Sequence, residues 1–246
     1  MDESYGQVYR KLYEQHWWWR SREAAILDVL RKIAAPSGFG NILDVGCGDG
    51  LFFDELSRFG NVEGVEFSSA LLNPNGSHRQ KIHTAPFDAN FQPGREYGLI
   101  TMLDVIEHLP DPVAALRHAL SLLDANGKLL ITVPAFNLIW TTHDDLNHHR
   151  TRYTKRSFRR EAVQAGMRID RMRYWYQWPF PVKLAARAWE ALSDAQPSNP
   201  KIPPAFLNRA LYRLSRIEQK LFTRFPAPFG SSLLIVGGNS RQQTPE

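Results

Sequence analysis

The stretch Leu43-Asp44-Val45-Gly46-Cys47-Gly48-Asp49-Gly50 constrains this chain more than any other. An apolar run reads as a strand over Asn41–Val45, three alternate glycines follow, and a helix is predicted over Leu51–Ser57. Glycine reaches backbone conformations closed to other residues and lets a ligand approach the bare chain. A loop of this kind between a strand and a helix belongs at the carboxyl edge of a doubly wound α/β sheet, where nucleotides bind. Glu66 ends the next predicted strand, Val62–Glu66, where an acid accepts hydrogen bonds from ribose hydroxyls.

The rest of the chain supports that architecture. Further strands are predicted over Lys81–Thr84, Leu99–Leu103, Lys128–Val133, Met167–Tyr176 and Ser231–Val236, with helices over Val113–Leu123 and Ser157–Gln164. Strands alternating with helices imply parallel pairing through right-handed crossovers. Residues 5–33 read as helical, interrupted at His16-Trp17-Trp18-Trp19-Arg20. The 246 residues are about 1.6 times a typical domain length, so one large domain with appendages is expected rather than two independent ones. The division is a helical cap (1–35), an α/β core (36–176), an insertion (177–230), and a last core strand with its tail (231–246). The insertion holds a proline-rich linker, Asp194–Pro204, and is too long for a bare loop, so it is predicted to contain helices.

Composition excludes other classes. At 43% apolar and 22% charged residues the chain can bury a core, which rules out disorder. Its single cysteine, Cys47, excludes an internal disulfide framework and any multi-cysteine metal site, so a reducing cytoplasm is the expected location. The acidic start and the lack of an apolar run near about 18 residues argue against export and spanning. The net charge of +5 is unevenly placed. Between Asp44 and Glu66 six acids face one base, Arg58, whereas from Arg150 to Arg173 nine bases face only Glu161 and Asp170.

That asymmetry selects among nucleotides. A dinucleotide brings a pyrophosphate, which needs a G-x-G-x-x-G spacing and a helix start free of carboxylates. Here the spacing is G-x-G-x-G, with Asp44 before it and Asp49 within it. Unit charges 4 Å apart interact by about 4 kcal/mol at an effective dielectric of 20, enough to repel a pyrophosphate and hold a cation. S-adenosylmethionine is cationic at its sulfur and its amino group.

At these residues the chain resembles the class I S-adenosylmethionine-dependent methyltransferases, with a core like that of the ubiquinone-type O-methyltransferases. D-x-G-x-G-x-G at Asp44–Gly50, an acid at Glu66, another at Asp88, and an apolar strand running into Glu107-His108 carry the likeness. The resemblance implies a seven-stranded Rossmann-like sheet with one antiparallel strand. It implies cofactor contacts from Asp44, Gly46, Cys47, Gly48, Gly50 and Phe67, from Glu66 at the ribose, Asp88 near the adenine amino group, and Leu103 or Asp104 at the methionine end. A narrower bacterial group is similar through His16–Trp18, Val133–Ala135, His143-Asp144, Arg152-Tyr153-Thr154 and Pro228–Leu234. The acceptors of that group are thought to be lipid-linked or saccharide molecules. Thr151 stands where that group often carries an arginine pair, so an anion clamp there does not carry over.

For chemistry, His143 follows the fifth strand on the ligand side and is the candidate base or substrate ligand; His148 and His149 are weaker candidates. His108 is the second catalytic candidate. A helical turn starting at Asp104 places Asp104, Glu107 and His108 on one face, which suits a divalent cation; the alternative is a loop anchor without metal. Three adjacent tryptophans cannot share one helix face, so Trp17–Trp19 read as an acceptor lid or as a hydrophobic staple. The expected function is methylation of an oxygen on a small, saccharide or lipid-linked acceptor. The alternatives are a catalytically silent cofactor-binding subunit and, because of Arg150–Arg173, an RNA methyltransferase, although no nucleic-acid module accompanies that segment. Residues 205–225 form an amphipathic helix with an apolar and a basic stripe. It is either a cap packed on the core or a peripheral contact with the inner face of a membrane.

Overall fold

The computed structural model describes residues 3–193 and 200–240. Part of the linker Asp194–Pro204 (residues 194–199) and the tail 241–246 lie outside the described residues. Seven strands form one sheet: β1 (Asn41–Val45), β2 (Asn61–Glu66), β3 (Ile82–Thr84), β4 (Tyr97–Leu103), β5 (Leu123–Pro134), β6 (Met167–Trp175) and β7 (Ser232–Asn239). Their order is β3-β2-β1-β4-β5-β7-β6. All pairings are parallel except those of β7, which runs antiparallel to both β5 and β6.

The inner strands β1, β4 and β7 and the second half of β5 are buried almost throughout, because both faces of the sheet are covered there. Alternation along each strand divides the core into two layers. Leu43, Val45, Ile100, Met102, Leu129, Ile131, Leu233 and Ile235 pack with helices α4 (Pro112–Leu122) and α6 (Lys155–Ala165). Ile42, Leu99, Leu130, Leu234 and Val236 point the other way, onto Ile26, Leu27 and Leu30 of α2 (Trp17–Ile33). Local chemistry starts these helices. Asp111 caps α4 by accepting from the amide of Ala114 at 2.9 Å, with Pro112 in the first turn. Thr154 and Ser157 form the capping box of α6, which Gly166 ends in the left-handed conformation.

Several elements differ from their sequence pattern. The helix expected over Leu51–Ser57 shrinks to α3 (Phe53–Leu56), because the glycine loop runs on as turns. The N-terminal helical stretch is two helices, α1 (Glu3–Gln15) and α2, broken at His16, whose ring accepts from the amide of Trp18 at 3.1 Å. A short α5 (Thr142–Leu146) follows β5. The insertion contains α7 (Pro179–Glu190) and α8 (Ala205–Arg224).

Helix α8 packs on α2 through its polar side. Asn208 accepts from the Trp17 amide at 2.8 Å and donates to the Gln15 carbonyl at 2.7 Å, bridging the break between α1 and α2. Gln219 donates to the Ser21 carbonyl, and Arg216 pairs with Asp28. Glu218 is buried and its carboxylate accepts from the amides of Gln177 and Trp178 at the turn into α7. Removing this carboxylate strands two amides, and each unsatisfied buried group costs about 1–3 kcal/mol. Glu218→Ala is therefore expected to destabilise the fold by about 2–4 kcal/mol in urea unfolding, whereas Glu218→Gln, which keeps one acceptor, should lose about half as much.

Candidate cofactor and acceptor site

The glycine loop leaves β1 through residues that only glycine accommodates. Gly46 (φ +68°) and Gly48 (φ +53°) are both left-handed. A Cβ at Gly46 would strike the Val105 side chain at 2.7 Å, whereas at Gly48 nothing lies within 4 Å. The loop therefore presents bare backbone to open space at the carboxyl edge of the sheet. Glu66 lies beside it, accepting from the Gly48 amide at 3.0 Å and the Ser68 amide at 2.9 Å. Asp44 is buried and accepts from the Thr101 hydroxyl at 2.6 Å. Burial pushes its pKa up to about 7; the Thr101 bond and the Arg22 charge oppose the shift, and the Glu66 charge adds to it. A buried acid beside a second acid suits a cationic ligand.

The remaining predicted cofactor residues are placed unevenly. Gly50 continues the left-handed loop, and Asp49 accepts from the Asn73 amide and pairs with Arg10 of α1, so that the N-terminal helix reaches the glycine loop. Cys47 is half-buried, and burial together with Asp44 and Glu66 raises its thiol pKa, which leaves it an unreactive thiol. Phe67 is exposed beside Glu66. Asp88 is exposed and bonds the amide of Asn90 within its own loop. Leu103 ends β4 and packs on the core, and Asp104 follows it in a left-handed conformation (φ +58°).

Asp104 belongs to a different network from the one its spacing suggests. Its Oδ2 pairs with Arg22 of α2 at 2.8 Å, and its Oδ1 accepts from Thr132 of β5 at 3.0 Å. Arg22 also donates to Thr132 and lies over the Trp18 ring. The turn at Ile106–His108 is a short 3-10 turn that begins after Asp104. It brings Glu107 and His108 to His149 instead; one ligand atom from each lies within 4.8 Å of the others. Glu107 is fully buried, and neither carboxylate oxygen has a hydrogen-bond partner on another described residue. Burial, reinforced by Asp104, raises its pKa well above the ordinary value. Burial and the neighbouring His149 lower the pKa of His108, so its ring is uncharged at neutral pH.

A buried ion pair fixes the loop that carries His149. Asp144 of α5 accepts from Arg152 at 2.8 and 3.0 Å, from the Thr141 amide at 2.9 Å, and from Nδ1 of His149 at 2.7 Å. Burial pushes the Asp144 carboxyl upward, but the His149 and Arg152 bonds outweigh it and hold the pKa well below the usual range. The carboxylate is then an acceptor only, so Nδ1 of His149 is the donor, and in the neutral ring the lone pair lies on Nε2. Arg150 ties the loop to the His108 turn by donating to the Glu107 and His108 carbonyls. Arg152, also bonded to the Ala135 carbonyl, is committed internally.

His143 lies apart from this cluster, with Nε2 facing the Asn147 amide at 3.1 Å. Burial and the Lys183 charge push its pKa down to about 4. Lys183 of α7 is pushed down to about 8, by burial first and then by Arg152, while Asp144 and Asp104 act in the opposite direction. Sequence reasoning missed Lys183 and Arg22 because no local motif marks them. The tryptophans are used in packing: Trp17 lies against Trp178, Trp18 stacks on Tyr176, and Trp19 is buried beside Tyr9 and His16. Their rings form a junction between α2 and the turn into α7 rather than an open acceptor surface.

A methyltransferase-domain family profile matches residues 18–172, well over half of the chain. The chain belongs to this methyltransferase-domain family and has the seven-stranded sheet expected from its likeness to the class I methyltransferases. It is similar to the ubiquinone biosynthesis O-methyltransferase of Coxiella burnetii, 28% identical over 102 residues (37% of this chain and 42% of that protein). The corresponding protein of Xanthomonas campestris is 29% identical over 113 residues (42% and 46%). The matches thus span less than half the length of these curated relatives. A TehB-like S-adenosylmethionine-dependent methyltransferase from Corynebacterium glutamicum superposes with a TM-score of 0.57 at 17% identity, covering 97% of each chain.

Asp44 should make cofactor binding depend on pH. A cationic amino group favours the ionised carboxylate, so affinity for S-adenosylhomocysteine in calorimetry is expected to fall as pH drops through about 7. Asp44→Asn should bind weakly and without that dependence. Stability has the opposite sign. The raised pKa means stability that is full at low pH and is lost as pH rises through about 7, so Asp44→Asn should unfold at a higher temperature than the parent at about pH 8.

Proposed function

We propose that this enzyme methylates an oxygen of a small or lipid-linked acceptor, with His108 as the proton acceptor. The observation that carries this reading is the cluster of Glu107, His108 and His149 just beyond the cofactor end of β4. When bound, S-adenosylmethionine supplies a methyl group activated on a sulfonium. Asp44 and Glu66 hold its amino group and its ribose, and the glycine loop admits its backbone-facing edge. An acceptor hydroxyl needs a neutral base within hydrogen-bond reach and a fixed approach. His108 is uncharged, and Asp144 orients His149 beside it. His143, with its pKa near 4, is a poor base and suits an acceptor contact, as does the neighbouring Lys183.

The same three residues also suit a divalent cation. An unpartnered buried carboxylate and two imidazoles, one oriented by a carboxylate behind it, form a mixed oxygen and nitrogen donor set. Titration with Mg²⁺ or Mn²⁺ by calorimetry tests this reading: binding that is lost in Glu107→Gln and in His149→Ala supports it, and no heat from the parent protein ends it.

Glu66→Ala is expected to weaken S-adenosylhomocysteine binding by about 1.5–3 kcal/mol, the range for hydrogen bonds to a charged group. His108→Ala should leave that affinity unchanged and lower turnover by about 10²–10⁴-fold. Transfer of labelled methyl into pools of hydroxyl-bearing metabolites and lipids measures the second effect. Label recovered on nitrogen or carbon, or an unaltered rate in His108→Ala, would sink the oxygen-acceptor reading.

A further inference from the structure

Helix α8 is inverted. Its polar residues Ser215 and Glu218 are buried against α2 and the turn into α7, while Phe206, Leu214, Ile217 and Leu221 face outward. Phe206 is 72% and Ile217 65% exposed. Helix α8 packs on α2 with Arg209 and Arg213 in water, as the cap reading expects, but it does so through its polar side and leaves the apolar stripe outward. Helix α7 is exposed along most of its length, with Val182 and Trp189 (69% exposed) on one side and Leu184 on the other; Glu190 bonds Thr142 and Arg187 bonds the Trp140 carbonyl. Single exposed apolar residues need no explanation, but the stripe of Phe206, Leu214, Ile217 and Leu221 on one side of α8 does.

A second observation lies at the edge of α8. A groove of about 580 Å³ runs between α2, α8 and the outer strands, lined by Lys32, Arg171, Arg173 and Lys220 with Trp175 and Phe222. The only acid lining it, Asp28, is already paired with Arg31 and Arg216. Trp175 is buried, and its indole N–H has no acceptor among the described residues. Four bases around one groove give it a positive potential that suits an anionic group.

We propose that the α8 face is a docking surface for an anionic lipid bilayer, with the α8 apolar stripe in the interface and a phosphate headgroup in the adjoining groove. Charge complementarity favours this occupant. Arg209, Arg213 and Lys220 are exposed on α8 beside the apolar stripe, and the two acids in the described parts of α7 and α8, Glu190 and Glu218, are both bonded inward. A symmetric contact with a second copy would set these bases against themselves. Phe206 and Ile217, both exposed on α8, supply the apolar bulk such an interface takes up. No helix among the described residues is long and apolar enough to cross a membrane, so the contact lies on the surface.

Co-sedimentation of the full chain with vesicles of phosphatidylglycerol and phosphatidylcholine tests the proposal. Binding is expected at low salt, with loss at about 0.5 M salt and little binding to pure phosphatidylcholine. Reversing Arg209 and Arg213 to Glu should weaken binding by at least about fivefold per site, as should Arg171→Gln with Arg173→Gln in the groove. Ile217→Ser should weaken it without altering the salt dependence. Unchanged calorimetric affinity for S-adenosylhomocysteine shows that each variant remains folded. No binding to anionic vesicles at low salt, or binding indifferent to all of these changes, overturns the proposal. So does a dimer in sedimentation equilibrium that Ile217→Ser abolishes, or calorimetric saturation of the groove by inorganic phosphate without vesicle binding.

Discussion

The Arg22 guanidinium is the interaction on which the site is built. It leaves the N-terminal cap and joins Asp104 and Thr132, so one cation ties α2 to the ends of β4 and β5. It lies over the Trp18 ring and acts on Asp44 and Glu107 as well. Without it, Asp104 would be an acid in a left-handed turn beside the buried Glu107, with no ion pair of its own. Breaking a buried pair by removing one partner costs more than the pair itself contributes, because the remaining charge is stranded. The cap is therefore part of the site, and the tryptophans that anchor it are structural for that reason.

Strain and unfavourable burial collect at the same edge. Asp104, Phe136, His148 and Tyr176 are the non-glycine residues with positive φ among those described, and three of them lie just beyond β4, β5 and β6. Glu107 and Asp44 are buried acids whose pKa values are raised by that burial. A chain selected for stability alone would replace such groups, and a site that receives a cation or a proton has a use for them. The Asp144–Arg152 pair supplies the rigidity that holds His149 against His108 in spite of this strain.

Local pattern made much of this legible. The glycine loop, the acid at Glu66 and the alternation of strands with helices follow from periodicity and turn chemistry, which are properties of neighbouring residues. Helix α7 was expected only as some helix within the insertion, because Pro179, Pro181 and a run of alanines give no sharp period. The cation-like turn was placed wrongly by spacing alone. Asp104, Glu107 and His108 share a helix face only if a helix starts at Asp104, and the left-handed backbone there prevents it.

By itself the sequence determined the sheet, the cofactor loop and the charge of the ligand that loop can hold, since each depends on residues within one strand, turn and helix. The tertiary structure decided which imidazole joins Glu107, where Arg22 and Lys183 point, and which side of α8 faces water. Those outcomes depend on contacts between segments up to nearly two hundred positions apart, such as Trp17 with Asn208. An amphipathic pattern reports that a helix has two faces, and only the surface it meets decides which face is buried.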